Sequence, residues 1–181
     1  MLYRRSYHSP LGEMTMASDG RALTALFFQG QKYAEIDISD EENTADDTAE
    51  HSEAGERAGE GGARAVFDRT LEWLDIYFAG RDPSFAPPLS IKGTPFQEAV
   101  WEILRKIPYG TVITYGEIAR QIAGKRGVRR MSAQAVGGAV GRNPVAIIVP
   151  CHRVIGSDGS LTGYAGGLDR KEKLLKLEKW L

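Results

Sequence analysis

Apolar and polar residues alternate along the first 33 positions around turn signals: Leu11-Gly12 opens one stretch, and Asp19-Gly20 separates Met14–Ala17 from Leu23–Phe28. Period-two alternation bounded by glycine predicts a β-hairpin or meander. From about Asp37 to Gly62 the chain turns to Asp, Glu, Ala, Thr and Gly with almost no large apolar residue. A segment of that kind cannot bury enough apolar surface to offset its conformational entropy, so a disordered acidic loop is expected over 37–62. The period then becomes helical, with Val66, Leu71, Leu74 and Phe78 on one face and Gly80 as the stop. Asp82-Pro83 and Pro87-Pro88 mark an extended connection. A boundary near residue 90 divides the chain into expected domains of 1–90 and 91–181.

The second half is patterned for helices. Thr94-Pro95-Phe96-Gln97 supplies an N-cap, a proline at the first helical position and a capping-box glutamine, ahead of Phe96, Val100, Ile103, Leu104 and Ile107 on one face. That helix is expected to end at Pro108. Thr114 and Glu117 repeat the capping box and open a helix through Ile118, Ala119 and Ile122 to a stop at Gly124. A basic loop, 125–130, leads to a third helix beginning near Ser132, whose residues Ala133, Ala135, Gly137, Gly138 and Ala139 are small. Two short helices around a compact turn form a helix-turn-helix pattern. Two glycines within a short helix cost roughly 1 kcal/mol each relative to alanine, so this surface needs an approachable backbone. Close approach of DNA satisfies that need, and so does tight internal packing. The whole reads as α+β: a small N-terminal domain with an antiparallel sheet and one helix, then a mainly helical C-terminal domain.

Charge sharpens the division. Residues 1–91 carry 8 Lys/Arg against 17 Asp/Glu, whereas residues 92–181 carry 15 against 7. A basic half in a chain of net charge −1 suggests a polyanionic partner. No stretch approaches the ~18 consecutive apolar residues of a membrane span, and no apolar signal segment opens the chain. A cytoplasmic protein is expected.

The single cysteine excludes an intramolecular disulfide, and His8 and His51 lie far from it in sequence, so no zinc-ligand spacing occurs and no metal or other cofactor is expected. Cys151 stands in Pro150-Cys151-His152-Arg153, directly after the apolar, strand-like stretch Val145–Val149. Cysteine attacks as the thiolate, and an adjacent histidine or cation is the usual means of activating a thiol of pKa about 8.5. The pattern therefore offers a nucleophile with His152 as base and Arg153 beside it. A lone cysteine is also commonly an inert core residue.

With nucleophile and helix-turn-helix in one half, the sequence resembles the O6-alkylguanine-DNA alkyltransferases, the methylated-DNA-protein-cysteine methyltransferases. The motifs are Thr94-Pro95-Phe96, Tyr109-Gly110, Thr114-Tyr115, Ala135-Val136-Gly137-Gly138-Ala139, Asn143-Pro144, Pro150-Cys151-His152-Arg153-Val154 and Gly163-Tyr164-Ala165-Gly166-Gly167, spanning Gly93 to about Glu178. Ser9-Pro10-Leu11-Gly12 and Tyr77-Phe78-Ala79-Gly80 are similar to the family's N-terminal domain. The resemblance implies direct repair of duplex DNA containing O6-alkylguanine, with O4-alkylthymine a further candidate, by single-turnover transfer of the alkyl group to Cys151 in a monomer. It implies that His152 acts through a water and is oriented by Glu178, a relay like the hydrolase triads. Tyr115 would assist flipping of the damaged nucleotide, and Asn143 would fix the turn between recognition helix and active site. Val140, Val154, Gly163, Tyr164 and Ala165 would wall the pocket. Arg126, Arg129, Arg130, Ala133, Gln134, Ala135, Gly137 and Arg153 would contact DNA, with the helix in the minor groove, where sequence is poorly read.

Two departures stand out. Gln134 occupies the position where well-known members carry an intercalating arginine, and Ala165 stands where some have serine. A small Val140 leaves room for alkyl groups larger than methyl. Three other readings compete. A helix-turn-helix regulator sensing alkylation calls for a polar base-reading helix, which this chain lacks. A non-catalytic damage-recognition homologue lacks the cysteine. A cysteine hydrolase needs an oxyanion site that nothing here marks.

Overall fold

The computed structural model describes residues 2–33 and 58–181. The N-terminal domain is the expected meander: β1 (Tyr3–Ser9), β2 (Gly12–Ser18) and β3 (Leu23–Phe28) form a sheet of order β1-β2-β3, antiparallel throughout. Helix α1 (Ala58–Phe78) lies against it. Met14, Met16, Leu23, Leu26 and Phe28 are buried from the sheet, and Val66, Phe67, Leu74 and Tyr77 from the helix. The acidic-loop expectation is corrected at its end, because α1 begins at Ala58 rather than near Val66. Its first turns are carried by a long helix whose later turns pack on the sheet, so tertiary burial overrides their weak local preference. The rest of that expectation, 37–57, lies outside the described residues.

The edge of β3 away from β2 is paired at two points. Leu23 N–H donates to Pro88 O at 2.8 Å and Ser90 N–H to Leu23 O at 2.9 Å; Leu26 N–H donates to Pro144 O at 2.9 Å and Ala146 N–H to Leu26 O at 2.7 Å. The second of these points binds the sheet to the C-terminal half, and together they cover a strand edge that would otherwise be open to other chains. One hydrophobic cluster runs through both halves.

The C-terminal domain contains α2 (Pro95–Leu104), β4 (Ile113–Thr114), α3 (Tyr115–Arg126), α4 (Ala133–Gly141), a one-turn 3-10 helix (Cys151–Arg153), β5 (Val154–Ile155) and α5 (Leu168–Leu177). Both predicted capping boxes form: Thr94 with Gln97, and Thr114 with Glu117. Ser132 caps α4 through Ala135 N–H. Three boundaries differ from expectation. α2 stops at Leu104 and continues as turns to Pro108. α3 runs past Gly124 to Arg126 and stops at Gly127, which takes the left-handed φ of 64° that ends a helix at low cost. Val145–Val149 is a sequence of tight turns rather than a strand, and its one bridge among the described residues joins Val145 to Leu26. The short parallel ladder of β4 with β5 joins the helix-turn-helix to the segment just after Cys151.

Candidate active site

Cys151 opens the 3-10 helix and is buried. Its position is set by Asn143, whose side-chain amide donates to Cys151 Sγ at 3.1 Å, to Val149 O at 2.7 Å and to Val145 O at 3.2 Å, while its Oδ1 accepts from Val145 N–H at 3.0 Å. One buried side chain thus ties the end of α4 to the turns leading to the thiol. Burial pushes the Cys151 thiol up, against the smaller opposing effects of the Asn143 hydrogen bond and the nearby Lys171 charge. At neutral pH the resting group is a thiol, and attack requires a base.

His152 is fully buried, and its Nε2 lies 2.7 Å from Glu178 Oε1. Burial lowers the imidazole pKa, opposed by the Glu178 carboxylate, so the ring is neutral. The carboxylate accepts a hydrogen bond from Nε2–H in this network, which leaves Nδ1 as a lone-pair acceptor. That Nδ1 is buried and has no hydrogen-bond partner among the described residues. A neutral imidazole held through one nitrogen, with the other free to take a proton, is the arrangement a general base needs.

Glu178 is the hub. Its carboxylate also accepts from Tyr77 OH at 2.7 Å, from Arg153 Nε at 2.9 Å and Nη2 at 3.0 Å, and from Gly110 N–H at 3.1 Å. Burial alone would raise its pKa, but the His152 hydrogen bond and the Arg153 charge outweigh it and bring the group down to about 2. Arg153 is buried and also donates from Nη1 to Ile107 O at 2.6 Å. This corrects the expectation that Arg153 contacts DNA: its guanidinium is committed inward, because an unpaired Glu178 at this depth would be costly. Tyr77, from the N-terminal domain, and Lys171 are site residues that sequence reasoning missed. Lys171 Nζ is buried, donates to Val154 O and, at 2.7 Å, to Thr162 O, and burial lowers its pKa to about 8. No local pattern marks either one, although a lysine and a tyrosine at buried helical positions are polar groups that need partners.

Val140 and Val154 are buried in the cluster that contains Cys151, and Tyr115 and Tyr164 pack on it. Tyr115 OH donates to Thr162 O at 3.0 Å and Gly163 O at 3.1 Å, and burial together with the Cys151 charge raises its pKa to about 12. Tyr164 OH is buried with no partner among the described residues. Ala165 is half-buried and its carbonyl accepts from Lys32 N–H at 3.1 Å.

Ala133, Gln134 and Ala135 are exposed on α4, and Arg126, Arg129 and Arg130 are exposed on the α3 end and the following loop. Arg126 lies over the Phe96 ring at 5.2 Å. A Cβ added at Gly138 would meet nothing within 4 Å, and one at Gly137 would only touch the Tyr115 ring at 3.8 Å. Internal packing therefore does not demand either glycine.

A buried thiol with a positioned neutral imidazole, set behind a helix-turn-helix that shows a small-residue face and arginines, defines a protein doing nucleophilic thiol chemistry beside a nucleic acid. Comparison with known proteins specifies it further. Family models for the DNA binding domain and the ribonuclease-like domain of 6-O-methylguanine DNA methyltransferase match residues 95–180 and 2–91. A methylated-DNA-protein-cysteine methyltransferase of Methanosarcina acetivorans is 43% identical over 178 residues, covering 98% of each chain. That of Mycobacterium tuberculosis is 44% identical over 179 residues, covering 99% of this chain and 93% of its own. The crystal structure of Mycobacterium tuberculosis OGT in complex with DNA superposes with a TM-score of 0.76 at 41% identity, covering 98% of this chain and 92% of that one. The chain belongs to the 6-O-methylguanine DNA methyltransferase family.

Proposed function

We propose that the protein repairs DNA by taking an alkyl group, mainly methyl, from O6-alkylguanine onto its own Cys151, once per molecule. The observation that carries this is a buried, protonated thiol next in sequence to a neutral His152 that is anchored on Glu178 and whose Nδ1 has no partner among the described residues. Displacement at a saturated carbon needs a soft nucleophile and no metal. The thiol proton passes to His152 Nδ1, through a bridging water as the family resemblance implies. The sulfur–carbon bond forms as the carbon–oxygen bond breaks, the electron pair stays on guanine O6, and the purine takes up a proton. The thioether product is stable, so the thiol is not regenerated.

Glu178 and Arg153 serve as positioning groups: the carboxylate orients His152, and the guanidinium keeps that carboxylate ionised. Asn143 places the sulfur. Tyr115, held on the Thr162 and Gly163 carbonyls, is the residue to meet a flipped nucleotide, and Val140, Val154, Gly163, Tyr164 and Ala165 line the space for the base. Flipping costs a few kcal/mol. It is supported from outside by α4 with Ala133, Gln134, Ala135 and Gly137 in the minor groove and by Arg126, Arg129 and Arg130 at phosphates. O4-alkylthymine presents a similar alkyl ether and is a second substrate. The protein acts as a monomer in the cytoplasm, in two domains divided near residue 90.

Intact-protein mass spectrometry after incubation with a duplex carrying one O6-methylguanine tests the reading. A stoichiometric gain of one methylene mass on Cys151, absent from Cys151→Ser, is expected. Binding without mass gain would instead indicate a damage sensor or regulator.

A further inference from the structure

The loop Gly163–Gly167, one wall of the base pocket in the proposed function, is held by Arg170. This half-buried residue sits in the first turn of α5, just after the loop. Its Nη1 donates to Gly166 O at 2.9 Å, so it grips the loop directly. Its Nε donates to Leu11 O at 3.0 Å, in the turn between β1 and β2. Its guanidinium also lies over the Phe28 ring, on β3, at 4.6 Å. One planar cation therefore joins the pocket loop to two separate points on the N-terminal sheet, a task suited to arginine's fixed fork and stacking face and not to lysine.

The surroundings are built closely around this contact. A Cβ at Gly12 would come within 3.2 Å of Arg170 Nη2, and one at Gly166 would stand 2.7 Å from the Tyr164 ring and 3.3 Å from Phe28. Lys32 N–H adds a third attachment, to Ala165 O at 3.1 Å. By contrast, the Arg170 hydrogen bonds end on Leu11 and Gly166 and do not reach Cys151, His152 or Glu178.

We propose that Arg170 is a positioning residue for the base pocket, and that the N-terminal domain takes part in the reaction by holding the Gly163–Gly167 loop in place through Arg170. The inference rests on the reading of that loop as a pocket wall. Reacting groups misplaced by about 1 Å lose up to a hundredfold in rate, so the wall's position is worth fixing.

The test compares the full-length wild type with Arg170→Ala and Arg170→Lys at a temperature where circular dichroism shows all three folded. Three quantities are read: methyl transfer from a saturating duplex containing O6-methylguanine, alkylation of Cys151 by iodoacetamide, and hydrogen exchange of the amides of 163–167. Arg170→Ala is expected to slow transfer roughly ten- to a hundredfold, to leave iodoacetamide alkylation unchanged and to speed exchange in the loop. Arg170→Lys should fall between, since it keeps the charge but loses the fork. Unchanged transfer, or equal losses of transfer and iodoacetamide alkylation, would overturn the positioning role. Unchanged loop exchange would overturn it independently of any chemistry. Failure of the wild type to gain a methyl group would refute the repair reading, while the exchange measurement would still decide whether Arg170 holds the loop.

Discussion

The Cys151–His152–Glu178 cluster and the outer face of α4 lie in the same domain and are built on opposite principles. In the cluster the buried polar groups are bonded to one another, and Glu178 alone gathers bonds from His152, Tyr77, Arg153 and Gly110. Only His152 Nδ1 and the nearby Tyr164 OH stand without a partner there among the described residues. The face of α4 carries exposed alanines, a glutamine and a glycine with nothing near it. Chemistry demands preorganisation to a fraction of an ångström, and internal bonds supply it. A surface that admits a duplex at any sequence, as proposed for α4, does better with little on it, leaving affinity to arginines and the phosphate backbone. Damage in the cluster should therefore appear as lost stability and lost rate together, whereas damage on α4 should separate binding from stability.

The largest break is expected at Glu178. Glu178→Ala leaves Arg153 buried without its carboxylate and His152 without an anchor, at a cost of roughly 3–5 kcal/mol. Urea unfolding would measure the stability loss, and mass spectrometry should show methyl transfer largely lost in the remaining folded protein. A variant as stable as wild type would remove Glu178 from its place as hub.

Acid should act on the same cluster next. The folded state lowers the pKa of both His152 and Glu178, so the unfolded chain binds more protons and stability falls as pH falls. The loss from His152 begins below its ordinary value of 6.5, and that from Glu178 spans 4.5 down to about 2. Because neutral His152 is the proposed base, the transfer rate should also drop on the acid side, at a pH below the ordinary histidine range. Rate and thermal unfolding measured from pH ~4 to ~8, a span that brackets the ordinary carboxylate and histidine values, check both. A rate that climbed toward acid would argue against His152 as base.

Gly138→Ala sharpens the contrast. With no atom within 4 Å to meet the new methyl, helix propensity should raise stability by up to ~1 kcal/mol while duplex affinity falls. Unaltered affinity, by fluorescence anisotropy, would show that DNA does not approach there. The smallest effects belong to the loop arginines. Arg129→Ala or Arg130→Ala should weaken duplex binding without regard to sequence and reduce the salt slope by about one for each phosphate no longer neutralised. A slope that stays the same would place these side chains away from the backbone.

What the sequence alone determines is local. The meander, both capping boxes, the Ser132 cap and the small-residue helix are each specified by residues within a few positions of one another. The adjacent Cys151 and His152, together with the surrounding motifs, were enough to assign the family. The chain alone could not say where its buried charges turn. Arg153 follows His152 and looks available to DNA, yet it faces inward because Glu178, 25 residues on, needs a cation at that depth. Tyr77 reaches Glu178 across 101 residues, and Arg170 reaches Leu11 across 159. Apolar Val145–Val149 became turns rather than a strand because Asn143 ties that segment to the thiol and β3 pairs with it at Leu26 alone among the described residues. Short-range preferences are written into neighbouring residues, but the partner of a desolvated polar group is chosen only when the two halves of the chain close on one core.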